Sequence, residues 1–214
     1  MKKNAYFVTG IDTEIGKTVT SAVIVQALRA DYWKPVQAGD LHLTDSHKIE
    51  KLTDCPCIHP EAFRLNTPMS PHAAAEIDKV QIELNDFTIP QTDNDLIIEG
   101  AGGLYVPLNE RDCMIDLIEK SEVPVILTVK NYLGSINHTL LSIKALQQRN
   151  IAILGLVYSG EEVESTERII QKMTGVPTLD RIEMMPEVNA AAIEKAAESM
   201  RRAIFNATAI PYAK

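Results

Sequence analysis

The segment Tyr6–Val23, with the sequence YFVTGIDTEIGKTVTSAV, constrains the fold of this chain more than any other. It begins with apolar residues typical of a buried strand, continues through a loop that ends in Gly16-Lys17-Thr18, and finishes with an amphipathic helical pattern. In a phosphate-binding loop, backbone N–H groups and a helix N-terminus surround the phosphates, while a lysine and a hydroxyl reach the phosphates and Mg²⁺. Lys17 and Thr18 fit the last two roles. The segment therefore predicts a strand, a phosphate loop and a helix in succession.

The spacing of the two loop glycines departs from the common motif. Five residues, Ile11 to Ile15, separate Gly10 from Gly16, where the usual loop has four. A glycine turn that only joined a strand to a helix would have no need for the Gly-Lys-Thr run. We therefore interpret the segment as a phosphate loop with one additional residue.

Apolar segments along the chain indicate the fold class. Buried strands are predicted at Ala5–Val8, Leu96–Ile98, Val123–Val129 and Ile151–Tyr158. Near-continuous Val, Ile and Leu suit a parallel sheet that is covered on both faces, and helical patterns follow the first and third segments. The chain is thus predicted to be an α/β protein of the P-loop NTPase fold, with a doubly wound, mostly parallel sheet and helices on both faces. Segment 59–92 shows no clear strand, and Glu187–Asn206 predicts a C-terminal helix.

Length and charge limit the remaining possibilities. With 214 residues, of which 45% are hydrophobic, we expect one domain over residues 1–214. No apolar run approaches the roughly 18 to 20 residues that span a bilayer, and no signal-peptide core follows Lys2-Lys3, so we expect a cytoplasmic protein with no membrane partner. A net charge of −8 without a Lys/Arg cluster argues against a nucleic-acid partner.

The three cysteines are expected to be reduced and structural. They are odd in number, and Cys55-Pro56-Cys57 is not followed by the second Cys or His cluster that completes a typical metal site. The sequence therefore predicts no metal site at the cysteines.

The segment NDLIIEGAGGLYVPL, Asn94–Leu108, places Glu99 at the end of an apolar strand. In open α/β sheets, ligands bind at the carboxyl ends of the strands, so we expect Glu99 to face the same crevice as Lys17 and to hold Mg²⁺ directly or through water. The glycines that follow allow the backbone to approach a ligand closely. The alternative is a glutamate that caps an ordinary turn.

The segment YWKPVQAGD, Tyr32–Asp40, places Lys34 immediately before a proline, which favours an extended backbone and suits a strand end. A lysine at the end of an interior strand is costly unless an anion pairs with it. A surface lysine on an edge strand is an equally acceptable reading of these residues alone.

Five motifs in order resemble one family. They are TGIDTEIGKT with its additional loop residue, KPVQAG, SPHAAA at Ser70–Ala75, EGAGG at Glu99–Gly103 and LGSINHT at Leu133–Thr139. This pattern resembles the dethiobiotin synthetases, ATP-dependent carboxylases and cyclo-ligases of biotin biosynthesis. The resemblance implies that 7,8-diaminononanoate takes up CO₂ as a carbamate, which attacks the γ-phosphate of ATP; the second amine then closes the ring of dethiobiotin. ATP would be the co-substrate and Mg²⁺ the cofactor.

The resemblance also implies roles for individual residues. Lys34, Lys17 and Thr13 would be catalytic, with Lys34 paired to the carbamate. Thr18, Asp45 and Glu99 would hold Mg²⁺, with Asp40 as the alternative to Asp45. The nucleotide would contact Asp12, Thr13, Glu14, Ile15, Gly16, Lys17, Thr18, Val19, Glu99, Gly102 and Ser159.

The substrate side of the implied site involves LGSINHT. Ser135 resembles an N-cap, and the first-turn N–H groups after Gly134 form a site suited to a carboxylate. In the family this segment comes from the neighbouring subunit, so the resemblance implies a homodimer with the substrate site at the interface. Substrate contacts would come from Lys34, Ala38, Gly102, Leu133, Gly134 and Asn137. His72 and His138 are predicted to be packing or capping histidines.

Two positions depart from the family pattern. Ala38 stands where the family has a hydroxyl residue, which removes a hydrogen bond worth about 1 kcal/mol. Ser159-Gly160 stands where the family usually has an asparagine that binds adenine, which argues against a specific base pocket; backbone atoms near 177–179 are the alternative contact for adenine.

Two other classes of protein share the phosphate loop. A nucleotide-dependent switch of the partition or GTPase type is disfavoured, because the chain has no Asn-Lys-x-Asp motif and no lysine in the loop before Gly16. An amidotransferase-type ligase would need a glutaminase domain, for which the chain is too short.

Overall fold

A seven-stranded parallel sheet organises the computed structural model, which describes residues 4–209. The strands are β1 (Ala5–Gly10), β2 (Asp31–Trp33), β3 (Val36–Ala38), β4 (Ile58–His59), β5 (Phe63–Leu65), β6 (Leu96–Gly103), β7 (Val125–Lys130), β8 (Ile153–Ser159) and β9 (Thr178–Ile182). The main sheet has the order β4-β2-β6-β1-β7-β8-β9, and β3 and β5 form a separate parallel pair. The helices are α1 (Lys17–Leu28), α2 (Asp45–Leu52), α3 (Pro71–Asp78), α4 (Met114–Ser121), α5 (Ser135–Gln148), α6 (Glu164–Thr174) and α7 (Ala190–Ala209).

Helices cover both faces of the sheet. Successive strand residues point to opposite faces, so Tyr6 and Val8 of β1 pack in one hydrophobic cluster, to which α1, α2 and α7 contribute. Phe7 packs in the other cluster, to which α4, α5 and α6 contribute. The prediction of a doubly wound α/β P-loop fold is confirmed.

The C-terminal helix is also present, as α7. Its buried residues Ile193, Ala197, Met200 and Ile204 recur every three or four positions, which places them on one helix face. This face packs in the same cluster as α1. Within residues 4–209, no helix combines the length and apolar character needed to cross a bilayer.

The interior position of β2 decides between the two readings of Lys34. β2 pairs with β4 on one side and with β6 on the other, so Lys34 follows an interior strand and the edge-strand reading is wrong. Burial of Tyr32 and Trp33 on opposite faces explains why this short segment forms a strand.

The prediction that segment 59–92 contains no clear strand is wrong. The segment contains β5 and α3, and His59 ends the edge strand β4. A three-residue strand with exposed Arg64 between Phe63 and buried Leu65 is too short for an alternating pattern to stand out. Its pairing with β3 comes from tertiary structure.

Strand register brings the phosphate loop and the EGAGG segment of β6 together. β1 pairs in parallel with β6, with Val8 opposite Glu99 and Gly10 opposite Gly103. The phosphate loop and the EGAGG segment therefore meet at the carboxyl ends of central strands, where α/β proteins place their ligands.

Candidate active site

The phosphate loop connects β1 to α1 and leaves the helix N-terminus open. Gly16 is the N-cap of α1 at φ 92° and provides no side-chain cap, so the first-turn N–H groups remain available for an anion. A Cβ atom at Gly16 would lie 2.5 Å from Ser159 Oγ. Both the left-handed backbone and this close approach require glycine at position 16.

Lys17, the first residue of α1, is almost fully buried. Its Nζ donates to the backbone oxygen of Asp12 at 2.7 Å, so the loop itself holds the ammonium group. Burial lowers the pKa of Lys17 to about 8, although the neighbouring Glu99 carboxylate acts in the opposite direction. A phosphate bound in this loop would stabilise the charged form.

Glu99 is 1% exposed, and its carboxylate is surrounded by side-chain donors. Thr18 Oγ1 donates to Glu99 Oε1 at 2.9 Å, Tyr32 OH donates to Oε2 at 2.9 Å, and Lys34 Nζ donates to Oε1 at 3.0 Å. These bonds tie Glu99 to α1 and β2, which does not support the alternative of a glutamate that caps a simple turn.

Lys34 is a buried cation held between two carboxylates. Its Nζ lies 2.6 Å from Asp45 Oδ2 and 3.0 Å from Glu99 Oε1. Burial alone would lower the pKa of Lys34, but the two carboxylates outweigh it and raise the pKa. The charge of Lys34 likewise outweighs burial at Asp45 and holds the pKa of that carboxyl well below its usual range. Lys48 Nζ completes the network at 2.9 Å from Asp45 Oδ1.

The structure brings Asp45, and not Asp40, to this cluster. Asp45 is the first residue of α2, behind the N-cap Thr44, and its backbone N–H donates to Gln37 Oε1 at 3.3 Å. Asp40 is exposed and lies in a turn with φ 51°. Of the two aspartates, Asp45 is therefore the candidate ligand.

The remaining loop residues lie around the phosphate site. Asp12, Thr13 and Glu14 are exposed, Ile15 is buried and Val19 of α1 is half-buried. Glu14 has φ 56°, a left-handed conformation that accommodates the lengthened loop. Gly102 has φ 64°, and a Cβ there would lie 2.5 Å from Val106 Cγ2 and 3.5 Å from Thr13 Oγ1. The phosphate loop and the glycine-rich end of β6 are thus in close contact.

The end of β8 places Ser159 over the phosphate loop, next to Gly16. Because β8 and β9 run parallel, with Ser159 opposite Ile182 and Leu156 opposite Thr178, residues 177–179 lie toward the amino end of the sheet. This position does not favour the alternative in which their backbone atoms contact the base. Met184, which approaches Gly160, lies at the carboxyl end of the sheet, where α/β proteins bind their ligands.

The start of α5 borders a groove of about 700 Å³. The groove is lined by Asn131, Tyr132, Leu133, Gly134, Ile136, Asn137, Leu140, Val163 and Thr166. The predicted N-cap is wrong by one residue: Gly134, at φ 103°, is the N-cap and Ser135 is the first helical residue. The Ser135 hydroxyl accepts from the N–H of Tyr132 at 3.3 Å, because the preceding turn folds back onto it.

The sequence also singles out Ala38, His72 and His138. Ala38 ends β3 and is half-buried. His72 Nδ1 lies 3.1 Å from Ser70 Oγ at the start of α3, and His138 Nδ1 lies 2.7 Å from Tyr132 OH. Both histidines make local contacts, as the sequence predicts.

Tyr32 and Gln37 are site residues that sequence reasoning missed. Tyr32 reaches Glu99, and its hydroxyl is kept protonated because burial and that carboxylate raise the pKa of Tyr32 well above its usual value. The sequence signal for Tyr32 is its position two residues before Lys34 in an apolar segment. This position predicts that the Tyr32 side chain is buried, but not that it contacts Glu99. The contact of Gln37 with α2 depends on tertiary structure.

Comparison with solved structures supports the fold. A plasmid partition protein of Borrelia burgdorferi bound to AMPPNP has a TM-score of 0.61 at 14% identity, covering 96% of this chain and 99% of its own. The cell division ATPase MinD of Pyrococcus furiosus has a TM-score of 0.57 at 16% identity, covering 94% and 99% of the two chains. At such low identity the likeness concerns the fold alone.

Comparison of sequences identifies the family. A family model described as an AAA domain matches residues 4–192. The ATP-dependent dethiobiotin synthetase BioD of Christiangramia forsetii is 50% identical over 200 residues, covering 92% of this chain and 96% of its own. The corresponding protein of Cytophaga hutchinsonii is 52% identical over 182 residues, covering 84% and 87%. Identity of this extent, together with the phosphate loop and the Lys34–Glu99–Asp45 cluster, shows that the chain belongs to the dethiobiotin synthetase family.

Proposed function

We propose that this protein carries out the ATP-dependent carboxylation and ring closure of 7,8-diaminononanoate to dethiobiotin. The observation that carries the proposal is the convergence of Lys17, Lys34, Glu99 and Asp45 at the carboxyl edge of the sheet, beside an open helix N-terminus. A phosphoryl-transfer ligase needs this combination of a phosphate site and a second cation for the anionic acceptor.

Each lysine has a separate task in the proposed reaction. Lys34 pairs with the carbamate formed when an amine of the substrate adds to CO₂ and loses a proton to solvent. Lys17 bridges this carbamate and the γ-phosphate, and Thr13 lies in the loop beside the phosphates. Because both ammonium groups are buried, their interaction with developing negative charge is weakly screened.

The chemical steps balance without a further reagent. A carbamate oxygen forms a bond to the γ-phosphorus, the bond to the β-phosphate oxygen breaks, and ADP leaves. The second amine then attacks the carbonyl carbon of the carbamic-phosphoric anhydride, phosphate departs, and the amine gives up its proton. Phosphorylation turns a poor leaving group into a good one, which is the use made of the bound ATP.

Thr18, Asp45 and Glu99 fit the Mg²⁺ that the family implies. All three offer oxygen atoms, the donors that Mg²⁺ prefers, and the Nζ of Lys34 already occupies a position between the two carboxylates that suits a cation. When bound, Mg²⁺ supplies neutralisation of charge on the phosphoryl oxygens. Thr18 and Glu99 are hydrogen-bonded to each other, so both are already in place.

The decisive experiment is turnover with diaminononanoate, bicarbonate and Mg-ATP. We expect phosphate release that depends on the diamine and equals the amount of cyclic urea formed. A nucleotide-dependent switch, the rival function, would release phosphate at the same rate with or without the diamine.

The groove at the start of α5 supports a homodimer in which Leu133, Gly134 and Asn137 complete the substrate site of the neighbouring subunit. Leu133 is fully exposed and lies beside exposed Ile136, an apolar surface suited to an interface. The three free thiols suit the cytoplasm, which we propose as the location.

Leu133→Asp is expected to weaken the dimer. A charge in the centre of an interface should cost about 2 kcal/mol or more, equivalent to about 30-fold in the dissociation constant. Sedimentation equilibrium measures this change. Ile77→Asp, at another exposed apolar position, on α3, is the control, and equal dissociation constants for the two variants would refute the assigned interface.

Nucleotide binding is expected to take up a proton near pH 8. Lys17 has a pKa of about 8 in the nucleotide-free protein, and bound phosphates must raise this pKa because they stabilise the ammonium form. Affinity for ATP should therefore fall as the pH rises above about 8. Calorimetry in buffers of different ionisation enthalpy measures the uptake, which should vanish in Lys17→Met. Unchanged uptake in this variant would assign the proton to another group.

Base discrimination is expected to be weak. An asparagine amide both donates to and accepts from adenine, whereas Ser159 has one hydroxyl, which lies over Gly16, and Gly160 has no side chain. Losing one or two hydrogen bonds of roughly 1 kcal/mol each reduces discrimination by about one to two decades. GTP and CTP should then substitute for ATP within about 100-fold in kcat/KM, which corresponds to about 2.7 kcal/mol.

A competition series with ATP, GTP, CTP and UTP at saturating diamine checks this result. Ser159→Asn should increase the preference for ATP. Thr178→Asn, which introduces the same amide toward the amino end of the sheet, should leave it unchanged. An ATP preference of the unaltered protein above about 100-fold would refute the prediction.

A further inference from the structure

Away from the candidate active site, three metal-ligating side chains meet at the edge of the main sheet. One ligand atom each from Asp31, Cys57 and His59 lies within 4.8 Å of the other two. The sequence prediction of no metal site at the cysteines considered only a second Cys or His cluster along the chain, whereas the fold brings Asp31 and His59 beside Cys57. Asp31 comes from the neighbouring strand β2, and His59 follows Cys57 by two residues on the same face of the edge strand.

Strand geometry explains why these three side chains converge. Cys57 and His59 are separated by one residue, so their side chains point to the same face of the edge strand. Tyr32 pairs with Ile58, and the N–H of Tyr32 donates to the backbone oxygen of Cys57 at 2.9 Å. Asp31 therefore lies beside Cys57 on the adjacent strand and faces the same direction.

The carboxylate of Asp31 is buried without a permanent positive partner. It is 2% exposed, and it accepts from Asn94 Nδ2 at 2.9 Å and from Thr92 Oγ1, which are neutral donors. His59 Nε2 lies 3.2 Å from Asp31 Oδ2, while no lysine or arginine among residues 4–209 forms an ion pair with this carboxylate. A buried carboxylate of this kind favours a nearby cation.

We propose that Asp31, Cys57 and His59 form a Zn²⁺ site. A thiolate, an imidazole nitrogen and a carboxylate oxygen are donors that Zn²⁺ accepts in tetrahedral sites, and water would fill the fourth position. Cys57 is exposed, so the metal enters from solvent and the thiol proton is released to solvent. Asn94 and Thr92 hold the Asp31 carboxylate in place, as outer partners of metal ligands do.

We expect bound Zn²⁺ to increase the stability of the folded protein and to have no part in catalysis. The metal would join β4, an edge strand of two residues, to β2. Alternation along β2 directs the Asp31 side chain to the face opposite Tyr32, the residue that reaches Glu99. Zn²⁺ binding should therefore stabilise the folded protein through the sheet edge without taking part in the reaction.

Co²⁺ is the probe that separates this site from the oxygen-only active site. Added to the full-length, metal-free, reduced protein, it should give the near-ultraviolet absorption of a Co²⁺–thiolate bond at one equivalent, and Zn²⁺ should displace it. Cys57→Ser should abolish the band. Cys55→Ser is the matched control, because Cys55 lies outside the group of candidate ligands and its thiol donates to the Ala30 backbone oxygen at 3.3 Å.

Two further measurements complete the test. His59→Gln should weaken Zn²⁺ binding about 10-fold or more in competition with a chromophoric chelator, and Zn²⁺ should raise the melting temperature of the unaltered protein but not of Cys57→Ser. Absence of the thiolate band, or its full retention in Cys57→Ser, would overturn the proposal. Equal loss of the band in Cys55→Ser would also overturn it.

Discussion

Replacing Lys17 with methionine should lower kcat by about 10²–10³, the scale for loss of one electrostatic contact to a transition state. The same change should make the nucleotide-free protein more stable. Burial lowers the pKa of Lys17 to about 8, which means that the folded protein holds the ammonium group at a cost when no phosphate is present. Methionine fills similar space without the charge, so we expect a gain of about 1–3 kcal/mol in the free energy of unfolding.

The pH dependence of this gain has a defined sign. The pKa of Lys17 is lower in the folded protein than the ordinary value of 10.5, so the cost is fully present below pH 8. It declines as the pH rises from about 8 toward 10.5 and disappears once both states are neutral. Denaturant unfolding of both proteins across this range measures the effect. A Lys17→Met protein that loses both activity and stability would contradict this account.

Replacing Lys34 with alanine should have the opposite effect on stability. The substitution removes the buried cation between the buried carboxylate of Glu99 and the partly buried carboxylate of Asp45, and loss of one partner from a buried network costs about 3–5 kcal/mol. Mg²⁺ should recover much of this loss, because the two carboxylates become free to share the ion. Loss of the carbamate contact should reduce kcat/KM for the diamine by about 10–100-fold.

Lys48→Ala is the matched control for Lys34→Ala. Lys48 contacts the same carboxylate of Asp45, but 43% of its side chain is exposed, so its removal should change stability by less than about 1 kcal/mol. Thermal unfolding with and without Mg²⁺, together with steady-state kinetics, distinguishes the two variants. Kinetics of Lys34→Ala within about twofold of the unaltered protein would refute its role, since a charge-assisted contact exceeds that.

The two lysines illustrate how function is set against stability in this site. Lys17 is held ready for a phosphate by a loop oxygen, at a cost to the free protein, whereas Lys34 is stabilised by carboxylates that are also candidate metal ligands. Binding of substrates and metal must therefore replace existing ion pairs around Lys34. Around Lys17 it satisfies a charge that the protein alone satisfies poorly.

Predictions from the sequence are correct where the structure depends on a local pattern of residues. The Gly-Lys-Thr run and the apolar strands each depend on neighbours in sequence. The prediction that the strand ends at Glu99 is wrong, because β6 continues to Gly103. Parallel strands must then meet at one edge, so the α/β fold and the phosphate loop could be predicted. The family motifs added Lys34 and Asp45, which composition and periodicity alone left undecided.

Tertiary structure decided which distant side chains meet. Pairing between β2 and β6 places Lys34 after an interior strand and brings Tyr32 to Glu99. The same arrangement brings Asp45, and not Asp40, to Lys34. Strands as short as β2 have almost no sequence pattern from which this pairing could be predicted. The same holds for Asp31, Cys57 and His59, which belong to two adjacent strands. The sequence by itself determined the phosphate loop and the layered sheet, because periodicity is local; the charge network was decided by strand register, which depends on the packing of the whole sheet.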